Sequence, residues 1–114
     1  MATKVLICLH GNEVTPRFDL ATEVLIAVIG ENRKVQGERV VVLPQASAEK
    51  LCHMVLTENI EVVVCGGIEE EYYQYLTWKR VTVLDSVIGD YREALLRLAE
   101  GRLQAGDILA QRED

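Results

Sequence analysis

The chain has no CxxC pair, no apolar run long enough to cross a bilayer and no surplus of positive charge. Each absence removes a class of function. Its three cysteines, Cys8, Cys52 and Cys65, are odd in number and widely scattered. Disulfide-stapled small domains and zinc ribbons or fingers need paired cysteines at close spacing. No apolar stretch approaches the roughly 20 residues of a membrane helix. The N-terminal MATKVLICLH has neither an adequate hydrophobic region nor a cleavage signature. These features lead us to expect a reduced, cytoplasmic protein with no membrane partner. The net charge of −6, from 12 basic against 18 acidic residues, argues against nucleic acid, whose phosphates are met by clustered Lys and Arg. What remains, 114 residues that are 49% hydrophobic and 26% charged, is one soluble domain able to bury a core.

Three apolar, β-branched runs come first. Lys4 to Leu9 reads as a buried strand, Glu23 to Ile29 as a second, and Lys34 to Leu43 as a third whose Gly37 marks a bulge. The short Gly30-Glu31-Asn32 connection makes the second and third an antiparallel hairpin. After Pro44 the period changes. Ser47 is placed to cap a helix, and Ala48, Leu51, Cys52, Val55 and Leu56 fall at helical spacing to about Glu58. Val62 to Cys65 is a fourth strand, stopped by Gly66-Gly67. Glu69 to Lys79 is a second helix with carboxylates in its first turn, where the helix dipole favours them, and Val81 to Leu84 is a fifth strand. Asp90 and Glu93 open a third helix as N-cap and N3 pair, and Gly101 closes it.

The order is thus β-β-β-α-β-α-β-α, an α/β fold with a five-stranded mixed sheet and helices on both faces. Strands one, four and five should run parallel, with strand two or three the antiparallel member at one edge. Residues 1–103 form a single domain; 104–114 form a tail expected to be partly disordered. An exposed sheet edge would allow a homodimer. In such sheets ligands sit at the carboxyl ends of adjacent parallel strands, here Leu9-His10-Gly11 and Cys65-Gly66-Gly67. The polar segment HGNEVTPRFD, residues 10–19, therefore hangs over the expected crevice as a lip.

The stretches HGNEVTPRFDLATEVLIAVI, IEVVVCGGI and VIGDYREALLRLAEGRL resemble the dinitrogenase iron–molybdenum cofactor biosynthesis family, small domains related to nitrogenase cofactor carriers. The resemblance runs from Lys4 to Leu103. It implies a ribonuclease-H-like three-layer fold and non-enzymatic binding or delivery of an iron–molybdenum or other metal–sulfur cluster, or its precursor. It also implies a cofactor-assembly protein as partner. The cofactor-binding residues it points to are His10, Asn12, Arg17, Phe18, Cys65, Gly66 and Gly67. Members that carry the nitrogenase cofactor have a His just before the Phe of this loop. Arg17 stands there instead, and a guanidinium has no lone pair to give a metal, although its charge can attract an anionic cluster.

Metal ligation, if direct, falls to Cys65, His10 and Cys8. Cys8 and His10 share one face of the first strand, and the first and fourth strands should be neighbours, so a soft metal would find thiolate and imidazole together. The opposing reading makes the cysteines ordinary core residues, since free Cys is among the most buried residue types. Cys52 falls on the first helix's apolar stripe and His53 off it. Gly66-Gly67 either admits a ligand to backbone amides or makes a tight turn that needs glycine's dihedral freedom. Tyr72, Tyr75 and Leu76 fit one packed helix face, leaving Tyr73 and Trp78 for a partner patch. The alternative function is accordingly an interaction module of the same fold, without a metal site, whose EEEYYQY helix contacts a protein. A nuclease is not expected, because two-metal hydrolysis needs carboxylates on the central strands and KVLICL and VVVC have none.

Overall fold

The structure, a computed structural model, describes residues 2–109. Five strands make the main sheet: β1 (Thr3–His10), β3 (Glu23–Ile29), β4 (Val35–Val42), β5 (Val62–Val64) and β6 (Thr82–Leu84). A short β2 (Glu13–Val14) pairs with the end of β1. The order across the sheet is β4-β3-β1-β5-β6, with β1, β5 and β6 parallel and β3 antiparallel to both of its neighbours. The antiparallel member is therefore inside the sheet and not at its edge. Two successive antiparallel connections return β4 to the direction of β1, which leaves β4 as the edge.

Alternation along β1 divides the core in two. Leu6 and Cys8 face a cluster with Leu51, Cys52 and Val55 of α1 (Ala48–Thr57) and Leu76 of α2 (Glu70–Trp78). Val5, Ile7 and Leu9 face Ala94, Leu95 and Ala99 of α3 (Tyr91–Ala99). Helices thus cover both faces of a mixed sheet, and each fully buried Leu, Val or Phe contributes about 1.5–3 kcal/mol.

The helix ends follow their local chemistry. The Ser47 side chain accepts from Lys50 N at 3.2 Å, and Asp90 accepts from Arg92 N and Glu93 N at 2.7 and 3.1 Å. At the end of α3, Gly101 adopts φ +76, with Gly101 N donating to Leu98 O and Arg102 N to Arg97 O. This double closure satisfies carbonyls that a helix end otherwise leaves open.

Several details differ from the sequence reading. The bulge expected at Gly37 falls beside it: Gly37 pairs with Val28 and Val35 with Ile29, leaving Gln36 as the extra residue. On α2 it is Tyr72 and Tyr73 that pack against the core with Leu76, while Tyr75 and Trp78 are exposed. The tail from residue 104 is described as far as residue 109. Its β8 (Ile108–Leu109) pairs in parallel with β7 (Ile88–Gly89), and Leu103 and Leu109 are buried in the second cluster. Residues 110–114 of that tail lie outside the described residues. Strands of two residues carry no readable period, which is why β2, β7 and β8 escaped the sequence.

Candidate functional site

The lip begins as a hairpin. Gly11, at φ +61, and Asn12 turn β1 into β2, setting His10 opposite Glu13 and Leu9 opposite Val14. A glycine at the first central position suits a two-residue turn that needs positive φ there. Asn12 O accepts from Tyr91 N at 3.1 Å, so the turn's backbone also serves the start of α3.

Residues 15–18 then lie alongside Gly66-Gly67 like an added strand. Thr15 N donates to Cys8 O (2.8 Å), Gly66 N to Thr15 O (3.0 Å), Gly67 N to Pro16 O (2.7 Å) and Phe18 N to Gly67 O (2.8 Å). Arg17 and Gly67 are paired as in a parallel ladder. Both glycine amides are therefore occupied by the lip and do not face an open crevice. A Cβ on Gly66 would meet Thr15 O and Pro16 O at 2.4 Å, whereas one on Gly67 would meet Pro16 O at 3.5 Å. Neither glycine has positive φ. Gly66 is needed for space, not for dihedral freedom.

Phe18 is the anchor of the lip. It is 1% exposed, begins a short 3-10 turn (Phe18–Leu20), and its ring centroid lies 6.3 Å from that of Tyr72. Next to it Arg17 is held outside, its side chain 56% exposed, with Nε and an Nη of the guanidinium each donating to Asp19 at 3.0 Å. That carboxylate raises the Arg17 pKa further, first through the hydrogen bonds and then through charge. Arg17, Asp19, Gly67, Ile68 and Glu69 line a depression of about 250 Å³. One guanidinium is set there against two carboxylates.

The proposed metal ligands are only partly brought together. Ile7 pairs with Val64, so Cys8 and Cys65 follow one step on, side by side, and both are 0% exposed. His10 does not join them. Two residues beyond Cys8, roughly 7 Å along the strand, it has left the core and is exposed at the hairpin. Cys52, assigned only to the apolar stripe by its spacing, is the third thiol of that cluster. Burial raises the pKa of Cys65 to about 12 and of Cys52 to about 11, and raises that of Cys8, which also feels Cys65 and Cys52. These groups are neutral thiols, whereas a metal binds the thiolate. Among the described residues no group of three or more His, Cys, Asp and Glu side chains is arranged to hold a metal ion. The residues present do not fit direct ligation of a cluster by Cys8, His10 and Cys65.

The chain matches no family model, and no curated protein matches it. Solved structures do match. The crystal structure of PH0822 superposes with a TM-score of 0.80 at 18% identity, covering 90% of this chain and 94% of that one. A protein from Methanocaldococcus jannaschii provisionally described as a dinitrogenase gives 0.73 at 23% identity over 91% and 94%. A Thermotoga protein provisionally described as a NifB protein gives 0.68 at 20% identity over 98% and 99%. At these identities the likeness is one of fold, spanning nearly the whole of each chain.

Proposed function

We propose that this chain is a non-enzymatic cofactor-handling domain, of the kind that holds or delivers a metal-containing cluster or its precursor in dinitrogenase iron–molybdenum cofactor biosynthesis. The cluster is cargo, recognised from outside by charge and hydrogen bonding at the lip and not by cysteine thiolates. The observation that carries this reading is the Phe18-anchored lip, which pairs Arg17 with Gly67 just beyond the carboxyl end of β5 and leaves its guanidinium exposed. Such ends are where sheets of this type bind ligands. Support also comes from the full-length likeness to proteins provisionally described as dinitrogenase and NifB proteins. The order β4-β3-β1-β5-β6 with β3 reversed agrees with a ribonuclease-H-like reading of the sheet. No helix among the described residues is long and apolar enough to cross a membrane. We assign the domain to the cytoplasm, and its net charge of −6 argues against nucleic acid as partner.

Metal analysis of protein isolated from native cells tests this. Molybdenum or iron should co-purify, fall away in Arg17→Ala and His10→Ala, and persist in Cys65→Ala. Metal-free native protein, or loss only in Cys65→Ala, would overturn it.

A second reading has its own observation. Both glycine amides are taken and the lip carries more carboxylates than cations, while α2 exposes Tyr75 and Trp78. An interaction module of the same fold without a metal site would show this pattern, and metal-free native protein is its expected result.

A further inference from the structure

The described residues also form a cavity away from the lip. It lies between α1 and α2, has a volume of about 400 Å³, and is lined by Glu49, Cys52, His53, Glu71, Tyr72 and Tyr75. Helical spacing explains its α1 wall: Glu49, Cys52 and His53 stand three and four residues apart and share one side. Cys52 forms part of the lining although it is only 4% exposed, and its free thiol has no hydrogen-bond partner among the described residues. The inner wall is therefore soft and apolar. Glu49 and Glu71 are exposed and form no ion pair among the described residues, and neither Lys nor Arg lines the cavity.

The chemistry is that of a site for positive charge. Two uncompensated carboxylates flank two aromatic rings, and ring faces attract cations by their quadrupole. The fold already uses this on the outer side of α2, where Lys79 Nζ lies 4.7 Å from the Trp78 ring centroid and 5.8 Å from that of Tyr75. Burial and the carboxylates of Glu71, Glu49 and Glu69 raise the Tyr72 pKa, which registers the same negative field at the cavity wall. A metal ion is a poor candidate, because no group of three metal-capable side chains is arranged to hold one among the described residues.

We propose that the cavity between α1 and α2 binds a small organic ammonium ion, its charged head between Glu49 and Glu71 and its apolar body against Tyr72, Tyr75 and Cys52. A cavity of this size falls within the range of small-molecule sites, in which apolar walls supply area and a few polar groups fix orientation. No lip residue lines the site, although Tyr72 on its wall also packs against the lip's Phe18, and the proposal stands whether or not the lip binds a cluster.

Phenethylammonium is a suitable probe, with 2-phenylethanol as its neutral counterpart and phenylacetate as its anionic one, each titrated while backbone amide resonances are followed. Phenethylammonium should give saturable shifts confined to α1 and α2, weakened by added salt, and the other two should bind far more weakly. A Glu49→Gln/Glu71→Gln double variant should stay folded, melting only a few degrees below the parent because both carboxylates lie in first helical turns, and should bind phenethylammonium about tenfold more weakly, about threefold per solvent-reached carboxylate. Equal binding of 2-phenylethanol, undiminished binding by the double variant, or no saturation up to about 10 mM, beyond which even weak fragments are excluded, would each overturn the proposal.

Discussion

Replacing Gly66 by Ala tests whether the lip is fastened to the sheet as described. The added Cβ would lie 2.4 Å from Thr15 O and from Pro16 O and 2.6 Å from Pro16 C, all of them backbone atoms. Ordinary contact begins at 3.4 Å, so both carbonyls must recede by about 1 Å. That movement stretches the bonds Gly66 N donates to Thr15 O and Gly67 N donates to Pro16 O, now 3.0 and 2.7 Å. Overpacking of this kind costs about 1–3 kcal/mol, and each weakened hydrogen bond adds about 1 kcal/mol. The reduced freedom of the unfolded chain returns about 0.4–1 kcal/mol. The net loss is about 2–5 kcal/mol, which lowers the melting temperature of a chain this size by about 8–20 °C. Gly67→Ala is the internal control. Its Cβ would make an ordinary 3.5 Å contact at a residue without positive φ, so its melting temperature should stay within about 3 °C of the parent's. Differential scanning calorimetry of the two variants decides. A Gly66→Ala protein melting within about 3 °C of the parent, or a larger loss in Gly67→Ala, would show that the lip does not pack as described.

Two further predictions concern the core beneath the lip. Phe18→Ala should cost about 3–5 kcal/mol in chemical denaturation and speed hydrogen exchange at Thr15, Gly66 and Gly67; a loss under about 1 kcal/mol would mean that Phe18 is not the anchor. The cysteines predict a pH dependence. Their folded pKa values, about 11 for Cys52 and about 12 for Cys65, exceed the ordinary 9.0, so the folded state holds its protons more tightly than the unfolded chain. The stability this provides is complete below about pH 9 and is lost as pH rises toward 12. Urea midpoints should therefore fall above about pH 9, less steeply in Cys65→Ala, and identical slopes in parent and variant would refute the assignment.

Much of the domain was written in local pattern. The three β-branched runs, the change of period after Pro44 and the caps at Ser47 and Asp90 fix strands and helices through interactions within a few residues. Those are the interactions a sequence displays. The parallel grouping of β1, β5 and β6 followed as well, since helices link those strands. The position of the antiparallel strand did not, because it depends on which strand β3 pairs with, and pairing is a long-range choice.

The site was less legible for the same reason. Strand alternation put Cys8 and His10 on one face, correctly as far as Cys8, but only the hairpin at Gly11 and Asn12 determines that His10 clears the core. The Gly66-Gly67 pair announced a tight place, yet the sequence could not distinguish a need for dihedral freedom from a need for space. The lip's carbonyls, 50 residues earlier in the chain, decided for space at one glycine and left the other tolerant. Likewise no local pattern links Glu49 to Glu71, and only the placement of α1 beside α2 brings both to one cavity. The sequence by itself determined which segments are strands and helices. Only the tertiary structure decided which amides the lip would occupy, which thiols would meet in the core, and which carboxylates would face one cavity. Those outcomes depend on contacts between residues distant in the chain, and no local periodicity encodes them.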